Sequence, residues 1–534
     1  MAAPLQPLVL NGLGIYGLNT QSNDSSLPPQ WLTKADNIML DDRGRITSRK
    51  GVKQVSENIG TDSSNTLIVK AVGEYRSTTG DATIFASAGS GIYKLETTGS
   101  PRTMTLEVFT GTPQTITDGN WQFCNFNGNF YGTQANYIPI HYDGTDWMDL
   151  DDTSGYNAPN NVTTFNPSSC LGDFGRLWVG GVSEGKDVLY YSDTLIGHKF
   201  NTGAAGYVDL KTVWDGDEIV ALASFNGQLI IFGRRNIAIY NGADDPDTMA
   251  LDEVIQGIGC VARDSVQAVG DELVFLSNSG VRALSRTKIQ DKMPLTDFSR
   301  NIKDAIISAT ISSNKDEVKG MYCLCGGFYV LSFTEQNATY VFDFKYANED
   351  GSPRVTKWTF SKGKQPKSFL STYDGKLYLG QGATKYKGRI AEYDGYHDRE
   401  YDGAAYINNT YQGSYRTVWL DFEQPAVSKI LKRLYLVIEG GFGMSVALNW
   451  YKDYSSVKGT RSLVINDGAV SYLYGDVASL YGAAKFAPMG SPKEYKVALS
   501  GAAKVLQLEM IGVINGYKAS MASMIIHATR GKIV

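Results

Sequence analysis

A chain of 534 residues is longer than one hydrophobic core supports, so two or more domains are expected. With 42% hydrophobic and 20% charged residues it reads as folded, and a net charge of −5 excludes a whole-protein field for tight, salt-driven gripping of nucleic acid. The 57 glycines, 32 tyrosines, 21 phenylalanines and 8 tryptophans favour strands and tight turns.

The first residues carry apolar stretches without a charged n-region or a small-residue cleavage site, so no secretion signal is read there. No run of 18 or more apolar residues occurs, which excludes a helical membrane span. The sequons at Asn23, Asn161, Asn337 and Asn408 are therefore expected to be idle. Residues 1–60 differ in pattern from the rest of the chain. Leu27-Pro28-Pro29 leading to Trp31, Leu32, Ala35 and Asn37 predicts a short helix begun by proline, whose fixed φ suits a first turn. Asp42-Arg43-Gly44-Arg45 predicts a turn between two extended pieces. Arg43, Arg45, Arg49, Lys50 and Lys53 fall within 11 positions. They read either as a solvated hairpin face or as a docking surface for an acidic partner or a phosphate backbone.

Residues 61–403 repeat one pattern. The clearest copies run from Phe126 through Gly128 to Gly132, from Phe174 through Gly175 to Gly180, from Phe225 through Gly227 to Gly233, and from Tyr373 through Gly375 to Gly380. Looser copies follow Gly80, Gly270 and Gly327, at overall intervals of 43 to 57 residues. In six of the seven a tyrosine follows the glycine by 13 to 18 residues: Tyr93, Tyr142, Tyr190, Tyr240, Tyr340 and Tyr393. The Gly270 copy has Ala283 and Leu284 there instead. A glycine turn, an apolar strand, a loop and a second strand form a hairpin, and its recurrence about every 50 residues is the arithmetic of propeller blades. The alternative is a series of unrelated β-sandwiches. One segment breaks the pattern: between Pro294 and Ile306, Phe298, Ile302, Ala305 and Ile306 lie on one helical stripe, with Asp297 as N-cap.

After Gly403 the repeat stops. Alternating strands beginning at Arg433, Ser445 and Val505 predict a β-sandwich-like domain, with Asp476 capping a short helix up to Phe486. The expected fold class is all-β. A β-propeller of six to seven blades spans 61–403. A β-sandwich-like platform is formed by 404–534 with the N-terminal segment 1–60.

Catalytic signatures are missing. There is no Walker loop, HExxH, paired CxxC or GxSxG turn. His141, His198, His397 and His527 are scattered. Cys124, Cys170, Cys260, Cys323 and Cys325 are odd in number and sparse, which suits a reducing compartment without a disulfide framework. Cys323 and Cys325 read as small core residues on one strand face or, less simply, as a metal pair. Asp244, Asp245, Asp247, Asp252 and Glu253 lack the EF-hand alternation and read as a solvated acidic loop. The Asp143-Gly144 and Asp394-Gly395 turns share little with sialidase Asp-boxes. No enzyme activity, cofactor or metal is expected.

The order of parts resembles the tail nozzle, or tubular tail, proteins of short-tailed double-stranded DNA bacteriophages. Three stretches carry the likeness. The opening runs from Asn11 to Ile15, through Leu27-Pro-Pro and Ala35-Asp-Asn37, to Arg43-Gly-Arg45 and Arg49-Lys-Gly51. The second runs from Ile219 to Gly242, on through Gly257 to Gly280, and into the expected Asp297-to-Ile307 helix. The third is the closing β domain with basic Lys429, Lys432 and Arg433. The resemblance implies a virion structural protein, assembled in the host cytoplasm as a homohexameric ring below the portal. Its partners would be the tail adaptor, tail fibre or needle proteins, and double-stranded DNA passing without sequence readout. The basic residues named would serve docking. A weakly acidic protein suits DNA passage better than retention. The competing reading is a glycan-binding or glycan-cleaving propeller, whose Tyr and Trp side chains stack on sugars.

Overall fold

The computed structural model describes residues 5–10, 12–59, 67–214, 216–284, 297–361, 363–383, 386–465 and 492–533. Strands dominate, and one α-helix, Lys303–Ser312, is present among the described residues. All seven repeated glycines lie in the turn between the first two strands of a sheet, at φ from 57 to 93°. In the Asn127-Gly128 and Asn226-Gly227 turns both residues are left-handed. That is the type I′ hairpin, whose twist matches the flanking strands.

Six sheets of four or more strands and one of three surround a common axis, each with its first strand innermost. Blade one comprises Val69–Arg76, Ala82–Ala88, Gly91–Gly99 and Arg102–Leu106. Blade two comprises Gln122–Phe126, Asn129–Thr133, Ile140–Tyr142 and Trp147–Asp149, with Phe109–Thr110 added in parallel at its outer edge. Blade three spans Ser169–Asp173 to Gly206–Asp209, and blade four Ile219–Phe225 to Ala250–Gln256. A short sheet of Gln267–Val269, Glu272–Ser277 and Gly280–Ala283 comes next in the chain. Blade five spans Val318–Cys323 to Arg354–Trp358. Blade six begins at Pro366–Ser371 and receives its fourth strand, Val52–Gln54, from the N-terminal segment. The ring is therefore closed by a strand from far upstream, and residues 1–60 serve both units.

The recurring tyrosines have one packing role. Each lies on the third strand of its blade, and Tyr93, Tyr142, Tyr190, Tyr240 and Tyr393 pack against the preceding sheet. Tyr142 meets Tyr75 and Phe85 of blade one, Tyr190 joins Phe126 and Tyr131 of blade two, and Tyr240 joins Trp178 and Leu189 of blade three. Tyr393 stacks on Trp358 of blade five with ring centroids 4.8 Å apart. Wedge-shaped gaps between radiating sheets need large, flat, amphipathic fillers. The short sheet uses Leu284 for this, against Ile230 and Phe232 of blade four.

The platform is a two-sheet sandwich. One sheet holds Ile38–Leu40, Ile46–Ser48, Val427–Gly440, Pro492–Ala498 and Ala519–Ile533, with Leu5–Leu10 alongside. The other holds Trp31–Asp36, Tyr411–Thr417, Ser445–Lys452, Lys458–Val464 and Leu506–Ile514. Leu434, Leu436, Met524 and Ile526 from the first pack on Val446, Leu448, Leu508 and Met510 from the second. The second sheet runs on through Gly17–Leu18 into blade five, so platform and propeller share one hydrogen-bonded sheet.

Two local expectations change. The segment after Pro28-Pro29 is a strand, Trp31–Asp36, and not a helix. A register shift between Leu32 and Lys34 turns both Leu32 and Ala35 inward, so a bulge mimics helical spacing. The helix begins at Lys303; Asp297 instead pairs with Arg282 and accepts hydrogen bonds from Ser299. The expected Asp476–Phe486 helix lies outside the described residues.

Candidate functional site

Short segments leading into or along the innermost strands bring charged side chains to the propeller axis. Arg263 and Asp264 sit on a one-turn 3-10 helix before the short sheet. Lys319 lies on the first strand of blade five, and Lys70 on that of blade one. Arg263 donates to Ser168 O at 2.7 Å and Asn120 O at 3.0 Å, tying blades two and three to the short sheet. Its Nε and Nη2 also donate to the two Asp264 oxygens at 2.8 and 3.1 Å. Lys319 Nζ reaches Asp264 Oδ2 at 2.5 Å and also donates to Asn120 Oδ1. Lys70 Nζ pairs with Asp118 and Glu317, each at 3.0 Å.

These groups partition the axis into cavities of about 540 and 350 Å³, both lined by Lys70, Arg263 and Asp264. Burial alone would raise the Asp264 carboxyl, but Arg263 and Lys319 hold it well below the usual carboxylate range. Glu317 is treated alike: burial pushes upward, and the Lys70 ammonium overrides it. At the rim of the larger cavity, Glu218 is held down against burial by Arg234 and Lys186. Glycoside hydrolysis needs one carboxylic acid kept protonated near neutrality. Asp264, Glu317 and Glu218 are pushed the other way by their cation partners.

Surface charge is polarised along the chain. Residues 141–256 hold eighteen Asp and Glu against six Lys and Arg. Of these, Asp143, Asp146, Asp209, Asp244, Asp245 and Asp247 are exposed around the outer strands of blades two to four. Residues 404–534 hold fourteen Lys and Arg against eight Asp and Glu. Lys432, Arg433, Lys458, Arg461, Lys496 and Arg530 are exposed on the platform. Since the platform joins blades five and six, the acidic rim and the basic platform lie on opposite sides of the ring.

The candidate docking residues divide. Arg43, Lys50, Lys432 and Arg433 are exposed. A register shift between Leu431 and Arg433 leaves two consecutive basic side chains outward. Lys53 is half-buried on the strand that closes blade six. Arg45 pairs with Asp41 at 2.7 Å and with Glu439 of the platform. Arg49 is interior: it lies over the Tyr411 ring at 4.2 Å and donates to Asn37 Oδ1 at 3.0 Å. Lys429 is also interior, donating to three backbone carbonyls at 2.6 to 2.7 Å. Sequence clustering could not separate these from the surface residues, because the bulge and the Asn37–Tyr411 pocket arise from distant strands. Cys325 is exposed in the turn after Cys323 and not on the same strand face. The axial Arg263, Asp264 and Lys319 left no sequence signal.

No family model and no characterised protein matches the sequence. Among solved structures, the chain is similar over 66% of its length to PorZ, described as an essential bacterial surface component of the type-IX secretion system of Porphyromonas gingivalis, at 12% identity and TM-score 0.35. It covers 44% of that protein. It also matches the Pan2 WD40 domain of Neurospora crassa, at 11% identity and TM-score 0.37, covering 66% of this chain and 97% of that domain. At this level of similarity neither protein informs function.

Proposed function

We propose that this chain is a structural, non-catalytic virion protein: a subunit of a hexameric tail nozzle of a short-tailed double-stranded DNA phage. It would dock below the portal and adaptor and meet fibre or needle proteins at its other face. The observation that carries this reading is charge polarity on a two-part body. Heterologous, ring-closing contacts require two different complementary surfaces on each subunit. An acidic blade rim and a basic platform supply such a pair. The likeness in part order to the nozzle family supports the phage assignment.

A propeller axis bridged by Arg263, Asp264 and Lys319 favours a conduit enclosed between subunits over one through each subunit.

Micrographs of particles carrying this protein test the proposal. Six copies in one ring below the portal are expected. Absence from the particle, with hydrolysis of or binding to host surface glycans, would replace it with the glycan reading.

A further inference from the structure

Cys323 is the last residue of the first strand of blade five, and the chain turns at once through Leu324, Cys325, Gly326 and Gly327. The Gly326 and Gly327 amides donate back to Cys323 O at 3.3 and 2.9 Å, folding the turn over the strand end. This brings the two sulfurs to 2.8 Å. Their surroundings differ. Cys323 is fully buried among Phe328, Val341, Trp358 and Tyr393, whereas Cys325 is exposed. A Cβ added at Gly375, in the neighbouring turn of blade six, would lie 3.8 Å from Cys325 Cβ. Among the described residues no group of three or more His, Cys, Asp or Glu is placed to hold a metal ion. Two adjacent thiols, one accessible and one shielded, with no further ligand, have the layout of an attacking and a resolving cysteine.

We propose that Cys323 and Cys325 form a redox-active dithiol that low-molecular-weight disulfides convert to an intramolecular Cys323–Cys325 disulfide. In the first step the Cys325 thiolate attacks one sulfur of glutathione disulfide. A Cys325–glutathione disulfide forms and one glutathione thiolate leaves. In the second step Cys323 gives up its proton and attacks Cys325 Sγ, which releases the second glutathione thiolate. Two protein thiols are oxidised by two electrons and one glutathione disulfide is reduced to two glutathiones. The protons from the protein thiols are balanced by those the released thiolates take up.

The electrostatics agree with these roles. The hydrogen bond from the Cys323 thiol, opposed by partial burial and aided by the Lys50 ammonium, lowers Cys325 to about 6. The same hydrogen bond, together with burial, pushes Cys323 upward. Cys325, the exposed member, is thus the readier of the two to lose its proton and attack, and the buried Cys323 the one that resolves the mixed disulfide. Cys170 and Cys260 are buried and Cys124 is half-buried, so Cys325 is the exposed thiol. This chemistry is independent of the assembly proposed above.

The test treats the folded full-length protein with glutathione disulfide at pH 7, then alkylates remaining thiols with N-ethylmaleimide after denaturation and maps peptides by mass. The peptide holding both residues should lose two hydrogens and carry neither glutathione nor maleimide. Cys323→Ser should retain one glutathione on Cys325, and Cys325→Ser should leave Cys323 to the maleimide. A wild-type protein that keeps glutathione on Cys325, or whose two cysteines are both alkylated, overturns the proposal. Because both results are read on wild-type protein, a variant that misfolds does not blunt the test.

Discussion

Lys319 on blade five places its ammonium 2.5 Å from Asp264 Oδ2, on the neighbouring 3-10 helix at the propeller axis. Asp264 is held on its other side by its chain neighbour Arg263. One half-buried carboxylate thus neutralises two cations, from the 3-10 helix and from blade five. Asp264→Asn leaves both cations under-compensated at the wall of the axial cavities. It should destabilise the protein by about 2 kcal/mol, read as a lower denaturant midpoint. A change below about 1 kcal/mol would mean that water already screens the axis.

His141 should make stability fall in mild acid. Its ring is buried, stacks on Tyr131 at 4.8 Å, and lies 3.1 Å from Thr153 Oγ1. Burial, with His198 nearby, lowers it to about 4. The unfolded chain binds this proton near pH 6.5 and the folded protein only near 4, so stability present above 6.5 is lost progressively as the pH falls to 4. The loss should total roughly 3 kcal/mol. His141→Phe keeps an aromatic ring and should flatten that part of the pH–stability curve; an unchanged slope assigns the acid lability elsewhere.

Gly227 isolates the cost of turn conformation. Its φ is +73°, and an added Cβ would meet nothing within 4 Å. Gly227→Ala should therefore cost about 1 kcal/mol from left-handed strain alone. At Gly128 a Cβ would also strike Thr78 at 2.7 Å. Gly128→Ala should cost more, and thermal unfolding of the two variants would rank them.

Charge reversal on the platform bears on assembly. Lys432→Glu with Arg433→Glu removes two exposed cations without touching the sandwich core. Formation of the proposed ring, followed by sedimentation, should weaken several-fold at low salt, and added salt should weaken it for the wild type in the same direction. Asp245→Lys on the opposite rim should partly restore assembly of the double variant. If sedimentation is the same for all variants, these charges do not join the copies.

Local periodicity made the blades legible. A left-handed glycine between two strands and a tyrosine on the third are short-range requirements, so they recur visibly at Gly80, Gly128, Gly175, Gly227, Gly327 and Gly375. The sandwich was legible for a similar reason, because alternation along residues 430–440 stems from one buried face. Other features depended on contacts hundreds of residues apart. Val52–Gln54 is too short to announce that it closes a ring at Tyr393, and a bulge at Leu32 disguised a strand as a helix. Arg49 looked like its exposed neighbour Lys50 until Tyr411 and Asn37 enclosed it. The axial Arg263, Asp264 and Lys319 acquired their meaning only when separate blades converged. Chain-local chemistry determined the modules, and tertiary convergence decided which charges are structural and which face outward.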